Sequence, residues 1–472
     1  VSQVEKAVSF ATWGEPLNWR YGEYTLGNVS VKGFSTLHIL EKVEKPEKIV
    51  VVALETLSSF EAVNASVGFS DLEKHAREYV RKYLCGVSAE IEIFPGILER
   101  REKRGSGQVY VRFNSQPEKE FKPLLLYKMF RSSVEKEASK VILDVSHGIN
   151  FMPTLALEAA EECASMLAVT GARDTVLRVY QSDPFLLGVG SQRSKVDSCM
   201  PENSEDVQRL GYNLILEKKF TPWDLSRYIN YNENNSRKLL TNTADCSLEG
   251  AESIRREYVM PILGAFRLGA LVELGEIAKA FPLLDLQRII ESCIECWKNK
   301  RTVKKVEENV LEVTSGTRFG QGFTAMLHAY AVTYGARKLL RVPVDQQGKV
   351  TEQQMSLEEI KKLRDLLKGS RIIKTIVDRE VSKLEKLKQE IAKRNLSLQD
   401  WTLYRDLLQQ VENEKVPMLG DDTFPRDFIG HAGFHADVLE IRMEHDTLQV
   451  RVRPQAWEKV EKVLVEAPLE QP

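Results

Sequence analysis

An arginine and a histidine stand five positions apart in Phe424-Pro425-Arg426-Asp427-Phe428-Ile429-Gly430-His431-Ala432-Gly433-Phe434. Those two residue types suit phosphate chemistry on RNA. A guanidinium can hold a phosphate by two parallel hydrogen bonds and stabilise charge growing in a transition state. An imidazole titrates near neutrality and can move a proton to or from a sugar hydroxyl or a leaving oxygen. The 2′-hydroxyl of RNA supplies the nucleophile, so no metal is required. A short helix must present the pair. Asp421, Asp422 and Thr423 are candidate caps, Pro425 suits a first helical position, and Gly433 is a natural stop. At roughly 100° per residue, Arg426 and His431 are about 140° apart and border one broad face. On spacing alone the pattern also fits a helix with a surface arginine and a capping histidine.

A second set of polar residues lies at the ends of expected strands. Ala7 to Thr12, Ile49 to Leu54, Ala89 to Phe94, Val141 to Val145 and Thr175 to Tyr180 read as strands alternating with helices, among them a long one from Asn150 to Val169. That alternation gives an open parallel sheet, in which ligands bind beyond the carboxyl ends of the strands. Two loops look equipped there. One is Trp13 to Trp19, with Trp13, Gly14 and Asn18. The other is Asp144 to Pro153, where Gly148 lets the backbone approach a ligand and Ser146, His147 and Asn150 can donate hydrogen bonds. The following helix start favours a phosphate. Ser146 or Asn150 also reads simply as a helix cap, and His147 as a turn residue. No G-x-G-x-x-G follows a strand and no G-x-x-x-x-G-K-[ST] occurs, which counts against a dinucleotide dehydrogenase or a P-loop ATPase.

Asp144, Ser146, His147, Gly148, Asn150 and Pro153 match the D-x-[ST]-H-G-x-N-x-x-P signature of CARF domains, the CRISPR-associated Rossmann-like sensors. Tyr180-Gln181-Ser182-Asp183-Pro184 resembles their last binding loop. Arg426 to Phe434 resembles the R-x4-6-H signature of HEPN ribonucleases. In this order the two resemble the CARF–HEPN ribonucleases of type III CRISPR systems over nearly the whole chain. The resemblance implies a CARF domain over 1–185, a linker with a helical, helix-turn-helix-like connector over 186–309, and an all-α HEPN domain with a small β-hairpin over 310–472. It implies metal-independent cleavage of single-stranded RNA, leaving a 2′,3′-cyclic phosphate. The expected catalytic residues are Arg426, His431 and Asp427, the last standing where many relatives carry Asn. The expected activator is a cyclic oligoadenylate, most often the tetra-adenylate. It is bound through Trp13, Gly14, Asn18, Ser146, His147, Gly148, Asn150, Gln181 and Ser182. A two-fold ligand further suggests a homodimer or higher homo-oligomer. A ligand-responsive transcription regulator and a sensor that degrades its own ligand are the alternatives.

Composition sets the remaining bounds. The chain has 472 residues and a net charge of −2, so RNA contact must come from a local basic patch. Six cysteines in this length do not make a disulfide framework, and reduced thiols in a cytoplasmic setting are expected. No apolar stretch suggests a membrane span. Cys293-x2-Cys296 reads as a plain helix with two thiols rather than a zinc site. The charged face of Lys374 to Lys393 reads as solvated. His435 reads as a surface residue, with assistance in catalysis the other reading. Gly316 to Gly322 reads as a flexible turn that follows no clear strand.

Overall fold

The computed structural model describes residues 5–104, 107–186, 199, 207–242, 246, 248–343, 348–349, 353–412 and 423–466. Its first strands are β1 (Ala7–Trp13), β2 (Gly22–Leu26), β3 (Val29–Gly33), β4 (Lys48–Leu54) and β5 (Glu90–Phe94). A hairpin of β6 (Leu98–Arg104) and β7 (Gly107–Phe113) follows, then β8 (Lys140–His147), β9 (Thr175–Ser182) and β10 (Gln208–Phe220). Eight of these strands form one sheet, ordered β3-β2-β10-β9-β8-β1-β4-β5. The β9-β8-β1-β4-β5 portion is parallel, whereas β10 runs antiparallel to β9. Period-two alternation divides the side chains. Val8, Phe10, Val50 and Val52 enter one core, while Ala11, Trp13, Val51 and Ala53 enter another on the opposite face. Both faces are covered, which is why β4 is apolar almost throughout.

The sheet is therefore mixed rather than wholly parallel, and it reaches past residue 185 to recruit β10. A second departure is larger. Residues 301–315, not anticipated as strands, form β11 (Arg301–Glu307) and β12 (Val310–Ser315). β12 pairs in parallel with β7, from Val310↔Tyr110 to Val313↔Phe113, giving a sheet ordered β11-β12-β7-β6. The expected boundary at 309 thus falls inside a hairpin. Gly316 to Gly322 directly follows β12 and is a packed joint. A Cβ at Gly320 would lie 2.0 Å from the Lys238 carbonyl oxygen, and one at Gly322 would lie 2.2 Å from that of Ser236.

The second half is helical, with a small sheet of β13 (Met355–Ser356), β14 (Thr402–Leu403), β15 (Leu439–Glu444) and β16 (Thr447–Val452), ordered β13-β16-β15-β14 and antiparallel. One hydrophobic core runs from the first sheet into this half. The helix Met152–Gly171, which follows the carboxyl end of β8, packs on the helix Gln321–Leu340. Gly335 permits the approach: a Cβ there would sit 2.3 Å from the Val169 carbonyl oxygen. Glu162 and Tyr231 hold the two ring nitrogens of buried His328, each at 2.9 Å.

Two buried polar features fix the geometry. Arg301 opens β11 with no exposed side-chain surface. Its Nε donates to Glu55 at 2.8 Å, and its terminal nitrogens donate to Glu55, the Asn114 carbonyl (3.0 Å) and Ser315 Oγ (2.6 Å). Glu120 lies 3.7 Å from it and accepts from Trp297 Nε1 at 3.1 Å. The other feature is Glu273, on the helix Leu271–Ala280, fully buried with neither carboxylate oxygen hydrogen-bonded among the described residues. It lies against Gly433, where a Cβ would come within 2.5 Å of Oε2. Its neighbour Glu276 accepts from the Val452 N–H at 2.9 Å.

Removing one partner of a buried ion pair leaves a charge uncompensated. Arg301→Met should therefore lower stability by about 3–5 kcal/mol, read as a lower midpoint in urea unfolding. Burial pushes the Glu273 carboxyl up to about 8 from an ordinary value of 4.5. The folded chain then holds a proton that the unfolded chain has released. Stability should fall as pH rises from about 4.5 through 8 and level off above that. Urea midpoints at pH 6 and pH 8.5 should differ less in Glu273→Gln than in the parent.

Candidate functional site

The helix that presents Arg426 spans Phe424–Gly430, with Pro425 in its first turn and Thr423 at its N-cap, which makes no side-chain capping bond to the helix. Asp421 and Asp422, read as caps, lie outside the described residues. Phe424 and Phe428 are buried and anchor the helix. Lys459 Nζ lies 4.1 Å from the centre of the Phe424 ring. The end is a left-handed turn: Ala432 has φ 48°, Gly433 has φ 82°, and the Gly433 N–H reaches the Phe428 carbonyl at 3.0 Å. The anchored side faces the core, so the other side meets water. Arg426 is exposed and, among the described residues, makes no hydrogen bond or ion pair. His431 caps the C-terminal end with 42% of its side chain exposed. Asp427 is half-buried, four positions before His431.

The sequence reading missed Glu380. It lies on the helix Arg371–Lys393, and its side chain is only 2% exposed. Its Oε1 lies 3.0 Å from His431 Nδ1, and Arg379 and Lys383 also bond the carboxylate. Burial alone would raise its pKa, but the His431 and Lys383 bonds outweigh this and hold the carboxyl below the usual value. The face read as solvated is therefore only partly so. A signal was present: Val377, Val381, Leu384, Leu387 and Ile391 form the buried stripe, and Glu380 interrupts it at helical spacing. His435, read as a surface residue, is buried, with 3% exposure. Its Nδ1 accepts from the Asp437 N–H at 3.2 Å, and burial lowers its pKa.

The loops at the sheet edge converge. Buried Asp144 accepts from Thr36 Oγ1 at 2.5 Å, Tyr212 OH at 3.1 Å and the Ser146 N–H at 2.9 Å. Ser146 Oγ accepts from the Ser182 N–H at 2.8 Å, joining the ends of β8 and β9. The His147 carbonyl accepts from the Gly14 N–H at 2.7 Å, joining β8 to β1. His147 Nε2 accepts from the Thr36 N–H at 3.3 Å, and its ring lies 4.3 Å from that of Trp19. Burial lowers its pKa to about 4, against a smaller opposing pull from Asp144, so the ring is neutral with its proton on Nδ1.

Not every expected ligand residue faces outward. Trp13 has no exposed surface and packs edge-on against Trp19. Gly14 and Gly148 admit neighbouring chain. A Cβ at Gly14 would lie 2.4 Å from Ile149 Cγ2, and one at Gly148 would lie 2.5 Å from Thr12 Oγ1. Asn18 falls in the turn Pro16–Asn18. Asn150 and Gln181 are exposed, and Ser146, His147 and Ser182 are partly so. Phe151, not Ser146 or Asn150, caps the following helix. Glu15 was missed: its carboxylate takes Arg100 of β6 at 2.9 Å and the Tyr79 hydroxyl, tying this loop to the shared sheet.

The cysteines depart from expectation. Cys85–Cys199 and Cys246–Cys296 are disulfides, with Cα separations of 5.3 and 5.7 Å, and Cys163 and Cys293 are buried free thiols. Cys296 is thus cross-linked rather than a second helix thiol. Among the described residues, no group of three or more His, Cys, Asp or Glu is placed to hold a metal ion, and no helix is long and apolar enough to cross a membrane.

Comparison with known proteins agrees with this division. Residues 8–184 match the CARF-domain model of the CRISPR system endoribonuclease Csx1, and residues 370–454 match its HEPN-domain model. The chain is also similar to the CRISPR system endoribonuclease Csx1 of Methanocaldococcus jannaschii. Identity is 23% over 460 residues, 92% of this chain and 86% of that protein. The two domain matches lie in the same order as the two sites just described. The chain belongs to the CARF–HEPN family of CRISPR system endoribonucleases.

Proposed function

We propose that this protein is a metal-independent endoribonuclease that cleaves single-stranded RNA and is switched on by a cyclic oligoadenylate, the tetra-adenylate being the expected ring. The observation that carries this reading is the hydrogen bond between buried Glu380 and half-exposed His431, five positions after exposed Arg426. A carboxylate on Nδ1 places the proton of a neutral imidazole on that nitrogen. Nε2 is then left to accept a proton from water's side of the ring. In RNA that proton comes from the 2′-hydroxyl. The 2′-oxygen attacks the adjacent phosphorus, the bond to the 5′-oxygen breaks with that oxygen taking a proton from the imidazolium or from water, and a 2′,3′-cyclic phosphate and a 5′-hydroxyl remain. Arg426 supplies a guanidinium for the phosphate oxygens as their charge grows. Glu380 then faces an imidazolium, which it stabilises. Asp427 lies close enough in sequence to oppose phosphate binding or steady the charged ring.

At the other end, Ser146, His147, Asn150, Gln181 and Ser182 present polar groups along one edge of the sheet. A ring with rotational symmetry fits two copies of that edge with identical contacts, so the active species is a homodimer with paired Arg426–His431 helices. Ligand binding shifts the pair towards the arrangement in which these groups are correctly spaced.

Labelled single-stranded RNA, incubated with and without cyclic tetra-adenylate, tests this directly. Cleavage should require the ring, persist in EDTA and leave a cyclic phosphate end. His431→Ala should lower turnover by about 100-fold or more. Glu380→Gln should fall between that variant and the parent, because an amide still accepts a hydrogen bond but cannot compensate an imidazolium. Full activity in His431→Ala would remove the assignment.

A further inference from the structure

Three basic or titratable groups meet at the Glu380 carboxylate, and the mechanism above uses one of them, His431. The other two are Arg379 and Lys383, on the helix Arg371–Lys393. Arg379 lies 3.2 Å from Glu380 Oε1. Lys383 Nζ lies 3.1 Å from the same oxygen and 3.0 Å from Oε2. His431 Nδ1 bonds that same Oε1. Each cation is therefore within two hydrogen-bond lengths of the imidazole.

Exposure separates the charges. Arg379 and Lys383 are 57% and 43% exposed, whereas the Glu380 side chain they bracket is 2% exposed. Seen from solvent, the patch shows cations in front and the carboxylate behind. One cation would neutralise one carboxylate. Two permanent cations against one carboxylate leave surplus positive charge facing water. Two basic residues on neighbouring elements pair differently. Lys361 bonds Glu358 and Glu385, and Arg364 bonds Asp378, so neither leaves surplus positive charge at the surface. Arg379 and Lys383 are four positions apart and so share one helix face.

We propose that Arg379 and Lys383 grip RNA phosphates flanking the scissile one, so that the site holds at least two consecutive backbone phosphates. They are substrate-positioning residues, and the proposal rests on the ribonuclease reading. It answers how a chain of net charge −2 holds a polyanion: the required basic patch is local and lies at the bond to be cut.

The test measures binding apart from cleavage. Full-length His431→Ala protein with cyclic tetra-adenylate is titrated against a fluorescent single-stranded RNA, by anisotropy, over a series of potassium chloride concentrations. Adding Arg379→Ala and Lys383→Ala should weaken binding at least tenfold. The slope of log affinity against log salt should shrink by about 0.7 for each phosphate that is no longer neutralised. Arg379→Lys with Lys383→Arg should keep the slope. Loss of both cations strands Glu380, so a second version carrying Glu380→Gln as well removes the charge that could unfold the site. It should show the same smaller slope. Affinity and slope equal to the parent's in both versions would overturn the proposal and leave the two cations as neutralisers of Glu380. Cleavage by the wild-type protein is scored separately, so a failed nuclease reading and a failed phosphate grip give different results.

Discussion

A guanidinium sealed from water holds the two halves of this chain in register. Arg301 is fully buried, so every donor it carries must be met by protein. The acceptors come from separate places: Glu55 at the end of β4, the Asn114 carbonyl after β7, and Ser315 at the end of β12. Glu120, at the start of the helix after residue 120, completes the cluster and takes the Trp297 indole. These groups satisfy one another only in one arrangement. The carboxyl end of β4 and the first strand of the second hairpin are thereby fixed to each other.

The same seam explains how the two sites share one body. Glu15, in the β1 loop, bonds Arg100 on β6. β6 pairs with β7, and β7 with β12. The helix Met152–Gly171 lies against Gln321–Leu340 through Gly335 and the Glu162–His328–Tyr231 chain. The turn after the helix Phe424–Gly430 rests on Glu273. Hydrogen-bonded polar groups lie at the Arg301, Glu15–Arg100 and His328 contacts. An apolar contact tolerates sliding, whereas a buried hydrogen bond does not.

What the sequence made legible was the part carried by contiguous residues. Asp144 to Pro153 and Arg426 to Gly433 each declare themselves in one stretch, and each lies where a strand end or a short helix was expected. The apolar alternation in β1 and β4 likewise needs no distant partner. The misses are non-local. β11 and β12 are strands because β7 offers an edge, and Val303, Val310 and Val313 gave too weak a signal alone. Glu380 looked like one charge among many until the fold placed it under His431. Trp13 and Gly148 were expected to meet a ligand, but packing sets Trp13 against Trp19 and Gly148 against Thr12. The disulfides join residues 114 and 50 positions apart, and spacing cannot give such pairings.

The β7–β12 ladder bears on how this chain can be divided or inherited. Each half donates a hairpin whose inner strand finds its second neighbour in the other half. Cutting the chain between them would bare two unpaired strand edges, and such edges recruit foreign strands into aggregates. Swapping either half for one from a distant cousin would meet the same obstacle unless the hairpins travelled together. Genetic shuffling of sensors and effectors is thus constrained here by backbone amides, and the two must diverge as a unit.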